Sequence, residues 1–355
     1  MKSSAYVTRA RVALATVLLI FTGVARAQIA PTRAEAIATP RELNMLVLGD
    51  SILWGQGLKN QNKSWYLVKT WLEKTTGMTL HEKIEAHAGA MIGSAGAEVP
   101  KTLTVHGEIN SAYPTLHDQI DEAIKGYVDP SQVDLVLVDG CINDVNARRF
   151  LNAANAPDEI QALAQEKCGA PVEQLLKRIA LSFSNAHIIV SGYYPVISEK
   201  TPRDFFMRAL AKRFYAQIDA NAPKIRQRVL FAKVAFEPEH AFAAHDSRLW
   251  GFDASLLRKL LVILTLGRVT LTTNDEVRSQ RWSVCGDFFK AVRGETDDQK
   301  RRRKETLMVC RLAAIAHPNR KGAMMYAEAI KEQVQAFLRS PGWLRMATVS
   351  AAGSQ

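Results

Sequence analysis

Asn44-Met45-Leu46-Val47-Leu48-Gly49-Asp50-Ser51-Ile52-Leu53-Trp54-Gly55 is the stretch that decides how the rest of the chain is read. Residues 44–48 form a short apolar run with β-branched content, the pattern of a buried strand. The run stops at Gly49, so Asp50 and Ser51 stand where a strand gives way to a loop. In open α/β sheets ligands bind there, outside the carboxyl ends of the strands. A lone Gly-Asp-Ser is more often a polar turn than a site. A serine in that position becomes a nucleophile only if a base and oxyanion donors exist elsewhere.

Outward from that strand, Lys83–His87, Val133–Asp139, Ala186–Ser191 and Val229–Val234 read as four more. Helical stripes separate them: Ser64–Thr75, carrying Trp65, Leu67, Val68, Trp71 and Leu72, then Thr115–Tyr127, Pro157–Phe183 and Arg203–Ala220. Strands alternating with helices predict right-handed βαβ units and a parallel sheet. From Trp250 to Met308 the pattern changes. Ser255–Leu266, ended by Gly267, is a nearly all-apolar helix, and Lys300-Arg301-Arg302-Arg303-Lys304 reads as a solvated helix face. No further strand is expected there.

Partners for Ser51 can be found. Gly89 lies in His87-Ala88-Gly89-Ala90, Asn143 and Asp144 in Gly140-Cys141-Ile142-Asn143-Asp144, and His317 in His317-Pro318-Asn319, just ahead of a helix expected over Arg320–Leu338. Each block alone is weak. In that order, together with Gly49-Asp50-Ser51, they resemble the four blocks of the SGNH (GDSL-type) hydrolase family, from about Asn44 to the C-terminal helix.

The resemblance implies a flavodoxin-like three-layer α/β/α fold whose five-stranded parallel sheet runs 2-1-3-4-5. The divergent stretch at about 250–308 then reads as a helical insertion lying beside the site as a cap. The implied chemistry is hydrolysis of carboxylic esters with no metal or organic cofactor. Ser51 is the nucleophile, and His317 accepts its proton and later gives it to the departing alcohol. The Ser51 N–H, Gly89 and the Asn143 amide receive the oxyanion, while Asp144 braces its loop. Trp54, Tyr193 and Tyr194-Pro195 follow strands one and four, with core packing as their expected role.

One position departs from the family pattern. The triad acid stands three residues before the histidine, and here that residue is Ala314. Three arrangements remain open: a backbone carbonyl holding Nδ1–H in a Ser–His dyad, an acid such as Asp246 or Asp287 from elsewhere, or an inactive site. The activity has two rivals as well. One is an O-acetyl esterase or acyltransferase acting on envelope glycans, and the other is a catalytically silent binding module.

Composition sets the outer limits. The 355 residues suffice for one large α/β domain or two smaller ones, and 47% apolar content is ordinary for a globular chain. Residues 1–27 carry Lys2, Arg9 and Arg11, an apolar run from Val12 to Ala25, and Ala25-Arg26-Ala27, the pattern of a cleaved secretory signal peptide. Removing them lowers the formal charge of +11 by four. The expected organisation is signal peptide 1–27, linker 28–43, hydrolase domain 44–340 and tail 341–355. It predicts a periplasmic or extracellular protein with no membrane span in the mature chain, acting on a small-molecule or glycan-linked ester.

Four cysteines fit export, and the sequence-local pairs Cys141–Cys168 and Cys285–Cys310 are expected, each closing a short loop beside a site block. No C-x-x-C, Walker loop, G-x-G-x-x-G, H-E-x-x-H or G-x-S-x-G occurs, and only net charge points to nucleic acid. The oligomeric state is not legible.

Overall fold

The computed structural model describes residues 42–93, 108, 111–145, 157–194, 228–242, 244, 246–251, 283–287 and 289–339. Five strands, β1 (Glu42–Leu48), β2 (Thr79–Ile84), β3 (Leu135–Val138), β4 (His187–Ser191) and β5 (Val229–Ala232), form one sheet. Its order is β2-β1-β3-β4-β5 and every pairing is parallel. This is the doubly wound α/β arrangement, in the strand order expected from the sequence. β3 and β4 are buried along their whole length, as expected of central strands covered on both faces.

The helices among the described residues are α1 (Ser51–Trp54), α2 (Ser64–Thr76), α3 (Leu116–Gly126), α4 (Pro157–Ser182), α5 (Asp297–Ala313) and α6 (Arg320–Leu338). α6 packs on α2 and on β4 and β5, while α3 packs on α4 and β1. Reversal of strand order between β2 and β3, with right-handed crossovers, sends the two helix pairs to opposite faces of the sheet. A single apolar cluster fills the space between, with Met45, Leu46, Val47, Leu48, Val136, Ile188 and Ile189 at its centre.

Several boundaries move from the sequence expectation. β1 starts at Glu42, taking two residues from the expected linker, because Glu42 and Leu43 pair with Thr79 and Leu80. β2 lies at Thr79–Ile84 rather than Lys83–His87. It is an edge strand with mostly polar, partly exposed residues, so no apolar run marks it. Residues 85–87 still follow β1, but irregularly: the Glu85 and Ala86 N–H groups both donate to the Val47 carbonyl, and His87 N–H donates to Gly49. β3 and β5 are shorter than expected. The basic run 300–304 lies on α5, where Lys300, Arg301 and Arg303 pair with Asp297, Asp298 and Glu295. The helices expected at 203–220 and 255–266, and residues 1–41 and 341–355, lie outside the described residues. No described helix is long and apolar enough to cross a membrane.

Two disulfides join Cys141 to Cys168 and Cys285 to Cys310, the sequence-local pairing. The first ties the loop after β3 to α4. The second clips α5 to residues 283–287.

Candidate active site

β1 ends at Leu48, and the chain turns at once into α1. Asp50 caps that helix, its carboxylate accepting the Ile52 N–H at 3.0 Å. Ser51 is therefore the first helical residue, only 4% exposed, at the carboxyl edge of the sheet's second strand in order. The cap carboxylate also receives the Tyr193 hydroxyl, and that hydroxyl oxygen accepts the Ile142 N–H at 3.3 Å. Tyr193 thus links the Asp50–Ser51 turn to the loop after β3. Burial, partly offset by the bonds from Tyr193 and Ile52, pushes the Asp50 carboxyl up to about 6.

His317 reaches Ser51 across 266 positions of sequence, its Nε2 lying 2.7 Å from Oγ. Its other ring nitrogen is 3.1 Å from the Ile315 carbonyl. A carbonyl can only accept, so Nδ1 carries the proton and Nε2 presents its lone pair to the serine hydroxyl. The Ile315 carbonyl is thus the partner of Nδ1. Ala314, three residues back, is fully buried in an apolar cluster with Leu58, Trp250 and Ala323. The other acids weighed from sequence are engaged elsewhere: Asp246 pairs with Arg248 and Asp287 with Lys290. Burial pushes the His317 pKa down to about 4, opposed by the hydrogen bonds to the Ile315 and Ala314 backbone.

The histidine loop is pinned from both sides. Leu249 and Pro318 form an antiparallel bridge, flanked by Trp250 N–H to the His317 carbonyl at 2.8 Å and Ala316 N–H to the Trp250 carbonyl at 2.9 Å. Asn319 caps α6 through its side-chain oxygen, and its amide nitrogen reaches the Ser247 and Leu249 carbonyls. Tyr194 donates its hydroxyl to the Ala316 carbonyl at 2.6 Å. These bonds hold Ala316 at φ 62°, a left-handed conformation that a non-glycine residue adopts only under constraint. Trp250, read from sequence as the start of an insertion, is part of this support.

The remaining sequence-named residues come to the same edge. Gly89 is the third residue of a turn closed by Ala90 N–H to the His87 carbonyl at 3.1 Å, and its φ of 82° is one that a side chain would strain. The Asn143 amide donates to the Ala90 carbonyl at 2.9 Å, which leaves its second N–H for a ligand. Asp144 accepts the Ile92 N–H with both oxygens, at 3.2 and 3.0 Å, and so ties its own loop to the segment after Gly89. Between them, Cys141 is buried at φ 102° and held by its disulfide.

Trp54 packs against the core as expected, and it makes polar contacts as well. Its indole N–H donates to buried Glu108 at 3.1 Å, and Lys63 Nζ lies 3.7 Å above its ring centre. Burial lowers the Lys63 pKa to about 8, against the pull of the Glu108 charge. Pro195 lies outside the described residues.

Sequence reasoning did not find Asp139, Gln119, the Tyr193 and Tyr194 hydroxyl contacts, or the ribbon at 248–250. A single acid at a strand end and an isolated glutamine on a helix carry no motif. Among the described residues no group of three or more His, Cys, Asp or Glu side chains could hold a metal ion.

Neither a family model nor a curated protein matches this sequence. The chain is similar to several solved structures. An extracellular lipase from Streptomyces rimosus is 15% identical, covering 60% of this chain and 90% of that one, with a TM-score of 0.38. A phospholipase A1 from Streptomyces albidoflavus is 14% identical, covering 60% and 88%, with a TM-score of 0.35. An aryl esterase from M. smegmatis is 14% identical, covering 55% and 86%, with a TM-score of 0.30. At these low scores the fold is read from the strand order and register of the chain itself.

Proposed function

We propose that the protein is an exported serine hydrolase of the SGNH type that cleaves carboxylic esters through an acyl intermediate on Ser51. The observation that carries this reading is the 2.7 Å approach of His317 Nε2 to Ser51 Oγ, with Nδ1 held by a carbonyl that fixes the tautomer. Nε2 takes the Oγ proton as Oγ attacks the ester carbonyl. The negative charge then forming on the carbonyl oxygen is received by the Ser51 N–H, the Gly89 N–H and the free N–H of Asn143. The imidazolium returns its proton to the departing alcohol. A water molecule, deprotonated by the same nitrogen, attacks the acyl carbon and frees the acid.

The triad acid normally orients the imidazole, keeps it in the correct tautomer and steadies its charged form. Here the Ile315 carbonyl does the first two, and its dipole supplies part of the third. The protein is therefore a Ser–His dyad with Ala314 at the vacated acid position. Export is supported by the two disulfides, which persist in oxidising compartments. The substrate is a small-molecule or glycan-linked ester.

Hydrolysis of short p-nitrophenyl esters tests the reading. The wild-type protein is expected to release nitrophenol and to be labelled by a fluorophosphonate, and Ser51→Ala to do neither. Wild-type protein that is folded and resists the probe would instead be a silent binding module. Product analysis with competing alcohols or acetylated polysaccharide separates a hydrolase from an acyltransferase.

A further inference from the structure

Asp139 lies one residue past β3, is 2% exposed, and takes no part in the proton transfers above. Its Oδ1 accepts the Asp50 N–H at 2.7 Å and its Oδ2 accepts the Leu53 N–H at 3.0 Å. The Asp50 carboxylate takes the Ile52 N–H, and the Trp54 N–H goes to the Asp50 carbonyl at 2.9 Å. Among the described residues, every N–H from Asp50 to Trp54 is thereby engaged except that of Ser51. The sequence makes room for this arrangement at Gly49. A Cβ there would lie 1.8 Å from Asp139 Oδ1, so a side chain at 49 and a carboxylate at 139 exclude one another. Gly49 is itself held by Gln119, which accepts its N–H at 2.8 Å and donates to its carbonyl at 2.9 Å.

We propose that Asp139 is a positioning residue for the nucleophile, taking the N–H groups on either side of Ser51 so that the Ser51 N–H alone faces the substrate's carbonyl oxygen. The inference rests on the ester-hydrolase reading and adds to it the group that builds one arm of the oxyanion site. A carboxylate suits the task because both of its oxygens accept. An amide of the same size offers one acceptor and sets its NH2 against the second backbone N–H, so the turn would lose one of its two ties.

The test compares wild-type protein with Asp139→Asn in fluorophosphonate labelling and p-nitrophenyl acetate turnover. The variant is expected to reach full labelling at plateau while its labelling rate constant falls about tenfold or more, approaching the loss from deleting an oxyanion donor. The kcat per labelled molecule should fall in parallel, with KM nearly unchanged. A lowered plateau at the wild-type rate constant would mean that Asp139 only keeps the chain folded, and would overturn the proposal. If the variant does not fold, a structure of the wild-type phosphonyl adduct decides. The adduct oxygen is expected at the Ser51 N–H with both Asp139 bonds intact, and an oxygen directed elsewhere overturns the inference. Wild-type protein that is never labelled removes the hydrolase reading itself. Normal labelling of Asp139→Asn removes this inference alone.

Discussion

Acidifying the medium should leave the base working well below the usual histidine range. An ordinary histidine titrates near 6.5, whereas burial holds His317 at about 4 with no carboxylate at Nδ1 to lift it. That displacement corresponds to about 3 kcal/mol in favour of the neutral ring. At about pH 5.5 an unperturbed imidazole is roughly nine-tenths protonated, while this one is almost wholly neutral. The assay is kcat/KM for p-nitrophenyl acetate, which reports the free enzyme, with nitrophenol read after quenching to alkaline pH.

Activity is expected to hold from neutrality to about pH 5 and to fall tenfold per unit only below about pH 4. Asp50, raised to about 6, and Asp139, pushed well above its ordinary value by burial and the Asp50 charge, add a separate step through the Ser51 turn rather than through the base. A full tenfold-per-unit limb centred near pH 6.5 that persists in Asp139→Asn would refute the reasoning. The same shift has a stability consequence. Between about 4 and 6.5 the unfolded chain binds the proton more readily than the folded one, so this contribution is complete above 6.5 and is lost as pH falls toward 4. Asp50 slopes the other way, since its folded form holds the proton more tightly between 3.8 and about 6. Urea denaturation of wild type against His317→Gln isolates the histidine's share.

Other perturbations follow from the same geometry. If Asn143 is an oxyanion donor as proposed, Asn143→Ala should lower kcat about 10²- to 10³-fold with little change in KM, measured on p-nitrophenyl acetate. Replacing Cys141 and Cys168 together opens a loop of 27 residues and should cost about 3.5 kcal/mol in urea titration. Glycine at 141 should retain more activity than alanine there, because φ of 102° suits glycine. Tyr194→Phe leaves the Ala316 carbonyl without its hydroxyl donor, a loss of about 1–3 kcal/mol readable as a lower Tm. Ala314→Asp puts a carboxylate among Leu58, Trp250 and Ala323, and chemical denaturation should show it less stable than wild type.

How much of this is legible in the sequence depends on which signal each feature leaves. β1, β4 and the helices Ser64–Thr76 and Arg320–Leu338 declare themselves by apolar runs and stripes, and α6 matches to the residue. β2 does not, because an edge strand of Thr79, His81, Glu82 and Lys83 has no apolar alternation to read. The convergence of Ser51 and His317 could be expected from block order, since both lie where strands and helices meet at one edge of a doubly wound sheet. Their neighbours could not. Asp139 matters because it is buried beside a glycine without a Cβ, and Tyr194 because its hydroxyl happens to end at the Ala316 carbonyl. Such contacts depend on register and side-chain reach. The empty acid position was visible at Ala314, but the substitute was a main-chain carbonyl, which every residue has and no sequence pattern marks.

The antiparallel bridge of Leu249 with Pro318 decouples the placement of the base from the length of chain that precedes it. Both strands of that small ribbon are fastened near the serine, and the excursion between Gly251 and α5 leaves and returns at anchored points. Lengthening such an excursion raises its closure cost only slowly, by about 0.6 kcal/mol for each doubling. The imidazole therefore keeps its address while the polypeptide between is free to change.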